Sequence, residues 1–212
     1  MGIAEPLTST AGVLAAVIAV LVDGRNAVTI AVLAVAAGLA PTVAVVAGAP
    51  AALVLAGAAL AGVVAGHSGR ALARRLPWVA GLDPLIPAFS ASRRLFGPRS
   101  VRAWGAALSV PAASWVSFNV PIGAVTTVKG VLFPVAYVWA CGAVRLVVAR
   151  TVEDIAVGVA MTGMGAAAAW IARGGPDVYS GAAVVAVLAP AAALTAGWLW
   201  GRHGRRPAPE PQ

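Results

Sequence analysis

The sequence predicts an all-α protein, a polytopic transmembrane helix bundle of seven spans with its N-terminus outside and its C-terminus inside. Three observations carry that expectation. Hydrophobic residues fill 60% of the 212 positions and charged residues only 10%, whereas a soluble domain carries roughly 25% charge to face water. The apolar residues fall into stretches of nearly the length that crosses about 30 Å of hydrocarbon as a helix. The arginines gather in short clusters between those stretches, as topology-setting charges do.

In chain order, the first stretch, residues 7–22, is preceded by Glu5 and by no basic residue. That predicts a retained helix inserted N-terminus outside, not a cleaved leader. Asp23-Gly24-Arg25-Asn26 makes a polar turn, residues 27–47 form the second stretch, Gly48-Ala49-Pro50 breaks it, and residues 51–66 form the third. Residues 1–66 are thus read as the first three helices. Residues 67–102 form a basic cytoplasmic loop with seven arginines, whose apolar middle is interrupted by Pro77, Pro84 and Pro87. That middle is expected to lie along the membrane surface. Within 103–200 come four further stretches, 103–122, 131–149, 155–172 and 181–200, the first interrupted by Pro111 and Pro121. The tail, 201–212, is basic and then proline-rich, and is expected to be disordered.

Orientation follows from counting. With the seven-arginine loop inside and seven spans, 13 of the 15 basic residues are inside, and only Lys129 and Arg173 are outside. The net charge of +8 therefore reads as membrane topology, with anionic headgroups at the loop, and not as nucleic-acid binding. Arginine outnumbers lysine 14 to 1 in a chain rich in Ala, Gly and Val, a bias typical of GC-rich bacterial coding. A bacterial plasma membrane is the expected location. One cysteine and two histidines predict neither a disulfide nor a metal site, and no cofactor is expected.

Residues 61–70 and 196–205 both read Ala-Gly-x-x-x-Gly-x-x-Gly-Arg. The match fits three helices, a linker helix and three more in parallel orientation, an arrangement some transporters use. Its Gly62/Gly66 and Gly197/Gly201 pairs put small residues on one face, so that backbones pack closely.

Two groups of polar residues are candidate sites. Ser114, Trp115, Ser117 and Asn119 sit in the proline-interrupted fourth stretch, where hydroxyl and amide groups satisfy freed backbone or line a wet path. Arg145 lies one turn inside the fifth stretch, where a bare charge is costly; Glu153, Asp154 and, across the bundle, Asp23 are its expected partners in an ion pair or gate. Gly66-His67-Ser68-Gly69 is similar to the Gly-x-Ser-Gly of intramembrane rhomboid proteases, but the other histidine, His203, lies in the tail, and no catalytic residue is expected. The function these features point to is a small transporter or permease. The alternative is a non-transporting scaffold or accessory subunit of an envelope complex, joined to a partner membrane protein or to further copies of itself.

Overall fold

The structure is a computed structural model that describes residues 4–23, 26–73, 98–119, 132–149, 152–173 and 178–203. All secondary structure in them is helical: α1 (Ala4–Leu21), α2 (Ala27–Ala47), α3 (Ala49–Ala73), α4 (Pro98–Asn119), α5 (Phe133–Val147), α6 (Val152–Arg173) and α7 (Val178–His203). The surface segment expected within the basic loop lies outside the described residues, as does the tail beyond His203.

Local chemistry explains the boundaries. Gly48 ends α2 at φ 89°, a left-handed conformation that residues with a Cβ adopt rarely, and its N–H bonds the Ala44 carbonyl at 3.0 Å. Pro50 follows in the first turn of α3, where a missing N–H costs nothing. Pro41, Pro111 and Pro190 lie within α2, α4 and α7, and each helix continues through its proline. Three expected boundaries need correction. α3 runs to Ala73, α4 starts at Pro98 and α7 continues to His203, so both ends of the expected basic loop and the first three residues of the expected tail are helical. Pro98 fits the first helical position, which places Arg99 and Arg102 inside a helix.

α1, α2 and α3 form one row and α5, α6 and α7 a second, with α1 against α5, α2 against α6 and α3 against α7. α4 packs chiefly on α5 and touches α1. Close approaches fix the directions: Gly12 meets Pro134, and Arg145 near the end of α5 reaches the end of α1, so these helices run parallel. Consecutive helices alternate, as Gly38 against Ala11 and Ala15, and Gly142 against Met161 and Thr162, show.

The core between the rows is made of small residues. Ala16, Ala31, Ala59, Ala167, Ala182 and Ala186 are fully buried among Val20, Val35, Leu39, Leu55, Met164 and Ile171. The outside is aliphatic and aromatic, with Leu53, Leu108, Trp104 and Val147 at least 70% exposed. Conversely, Arg102, Arg145 and Asp154 are buried. Among the described residues, these three charges face in while Arg173 is exposed, and much of the outer surface is hydrocarbon.

Three helical segments, Ala27–Ala47, Ala49–Ser68 and Asp154–Arg173, are long and apolar enough to cross a membrane; Thr10–Leu21, Phe133–Val147 and Gly181–Ala193 are apolar but shorter. At about 1.5 Å per residue, the 15 residues of α5 span about 22 Å, less than the roughly 30 Å of a hydrocarbon core.

Candidate functional site

Four of the described charges meet at one end of the bundle, while Arg173 lies exposed in the last turn of α6. Asp23 follows α1, Arg102 lies in the second turn of α4, Arg145 in the last turn of α5 and Asp154 in the first turn of α6. Helix ends carry partial charge, positive at the N-terminus and negative at the C-terminus. Arg145 and Asp154 therefore each sit at the end that favours them. Asp23 and Arg102 sit at the opposite ends, and they pair with each other, Arg102 donating to Asp23 Oδ1 at 2.6 Å.

The remaining contacts close a ring. Asp154 Oδ1 receives Arg145 at 3.2 Å and lies 3.4 Å from Arg102, while Asp23 Oδ1 lies 3.8 Å from Arg145. Among the described residues, two cations and two carboxylates meet here. Such pairing is needed, because an unpaired charge at low dielectric costs several kcal/mol. Arg145 does a second job: its guanidinium donates to the carbonyls of Ala19, of Val20 at 3.0 Å and of Val22 at 2.8 Å. These carbonyls end α1 and have no further turn to bond. Arg145 thus caps a helix four positions earlier in the fold, and only its Nε lacks a hydrogen-bond partner.

The structure thus brings Asp23, Arg145 and Asp154 together. The side chain of Glu153 lies outside the described residues. Arg102 was not singled out by the sequence reading, which assigned it to a loop; Pro98 just ahead of it was the available signal. Tyr137 was missed as well. It is buried, and its hydroxyl donates to the Ala106 carbonyl at 3.2 Å, tying α5 to α4.

The polar residues of α4 do not converge. Ser117 donates to the Ser114 carbonyl at 3.0 Å, Asn119 to Trp115 at 2.8 Å, and Ser109 to Gly105 at 2.8 Å, each within its own helix. Trp115 is 64% exposed and points outward. Of the four candidate path residues, Ser117 lines a cavity of about 410 Å³ between α4, α5 and α6. Its other walls are apolar, among them Ala113, Val116, Leu132, Trp139 and Gly165.

At the far edge, Gly62 lies against α7, where an added Cβ would come 2.7 Å from the Val187 carbonyl oxygen and 3.1 Å from Pro190. Gly66 is buried one turn on. The helices carrying the two matched glycine motifs thus pack on each other, although Gly197 and Gly201 lie where side-chain surroundings fall outside the described residues. No group of three or more His, Cys, Asp or Glu side chains gathers among the described residues. Comparison with protein-family models, curated proteins and solved structures finds no match to this chain.

Proposed function

We propose that the chain is a seven-span protein of the bacterial plasma membrane, N-terminus outside and C-terminus inside, acting as a non-transporting scaffold or accessory subunit of a larger envelope complex. The inverted distribution of charge and hydrocarbon supports the membrane setting. Alternating helix directions support the orientation: the ends of α1, α3, α5 and α7 and the starts of α2, α4 and α6 share the end flanked in sequence by the arginine clusters.

One observation carries the scaffold reading. Among the described residues, Ser109, Ser117 and Asn119 bond carbonyls of their own helix, Arg145 bonds carbonyls of α1 and the buried charges pair with one another, while the other walls of the cavity beside Ser117 are apolar. A solute path needs polar groups turned toward a wet space. Purification in mild detergent is expected to bring down a partner at fixed stoichiometry. Solute uptake by the purified chain alone in liposomes would refute the reading. For orientation, a phosphatase fused after Gln212 is expected to be inactive and one inserted beside Lys129 active.

A second reading, a small permease, is favoured by a different observation. Helices four apart in sequence face one another along both rows, as in proteins built from two like halves, and the ion-pair ring would then close one end as a gate. On that reading Asp23→Asn is expected to raise liposome uptake.

A further inference from the structure

The two halves of α4 are held very differently. From Arg102 to Ser109 the helix is fastened. Arg102 reaches Asp23 and Asp154, Gly105 lies so close to Val144 that a Cβ would overlap it, and the Ala106 carbonyl accepts from Tyr137. From Ala112 to Ser117 the helix, though buried at Ala113 and Ser117, instead borders the 410 Å³ cavity whose other walls belong to α5 and α6. Pro111 sits at the boundary. It has no N–H to give the carbonyl four residues back, and a missing bond of this kind is where helices kink.

We propose that α4 is a hinged strap. Residues 98–109 are latched to the α1–α5–α6 junction, and residues 112–119 form an arm that swings about Pro111 to open and close the cavity. The cavity is a cleft open between the three helices, and a space of this size beside one helix half gives the arm room to move inward. The hinge itself needs no large rearrangement, because a few residues absorb the change in direction. The hinge is independent of the scaffold reading: it serves a subunit that signals to a partner and a permease alike.

The test is a pair of distances in the full chain in lipid nanodiscs, read by spin labels on a Cys141→Ser background. Phe118→Cys with Trp170→Cys reports the arm against α6, and Trp104→Cys with Val147→Cys reports the latched half against α5; all four positions are exposed. The arm pair is expected to give a distribution about twice as broad as the latched pair. Pro111→Ala should narrow the arm pair and leave the other unchanged. Arg102→Gln, a second variant should Pro111→Ala fail to fold, should broaden the latched pair. Equal widths in the parent chain overturn the proposal, as does an arm distribution that a folded Pro111→Ala leaves unaltered.

Discussion

At one edge of the bundle the two rows of helices meet through charge, and at the other through glycine and alanine. The α1–α4–α5–α6 junction joins four helices with two arginines and two aspartates, whose worth depends on every member being present. The α3–α7 seam joins two helices through the absence of a side chain at Gly62. Its attraction is summed from many weak contacts, none of them costly to lose. The difference teaches which substitutions matter. At the junction, removing a group is the severe change; at the seam, adding one is.

The largest effect is expected from Arg145→Ala, which leaves the α1 carbonyls uncapped and takes a buried cation from beside Asp23 and Asp154. Removing one partner of a buried ion pair costs about 3–5 kcal/mol, read as a fall in the SDS concentration that unfolds the protein. A change no larger than that of Arg102→Ala would break the claim that Arg145 is the keystone. Gly62→Leu comes next, at about 1–3 kcal/mol for overpacking, because the α7 backbone at Val187 blocks the new side chain. The same assay measures it, and an unchanged midpoint would show that the seam is loose.

Tyr137→Phe removes one buried hydrogen bond and is expected to cost about 0.5–1.5 kcal/mol. A cycle pairing it with Arg102→Ala sharpens the comparison, since both hold the latched half of α4 and should be non-additive. The smallest effect is Gly57→Ala, where nothing lies within 4 Å of the added methyl. It is expected to stabilise α3 by about 0.5–1 kcal/mol, and destabilisation would mean that this face has a neighbour.

Much of the fold was legible along the chain. Apolar stretches placed the seven helices of the described residues, because covering a helix with hydrocarbon requires contiguous apolar residues, and Gly48 with Pro50 marked the break between α2 and α3. Ends were less legible. The arginines near 70 and 99–102 looked like loop residues, since charge usually marks where an apolar stretch stops, yet α3 and α4 extend through them. The candidate site divided the same way. Arg145 stood out as a charge inside an apolar run, with carboxylates within reach in sequence. Ser114, Ser117 and Asn119 looked like a shared polar face, but a side chain three or four residues from a carbonyl of its own helix has a closer partner than any solute.

The sequence by itself determined that this is a chain of apolar helices with too little charge to clothe a water-facing surface. That follows from composition and spacing, which need no contacts to be read. Only the tertiary structure decided that α1 lies parallel against α5, that Arg102 joins Asp23, and that Arg145 caps a helix more than a hundred residues away. Those pairings depend on which faces meet. Where most faces carry alanine, valine and glycine, many packings bury similar area, and the few charges that must find partners select among them.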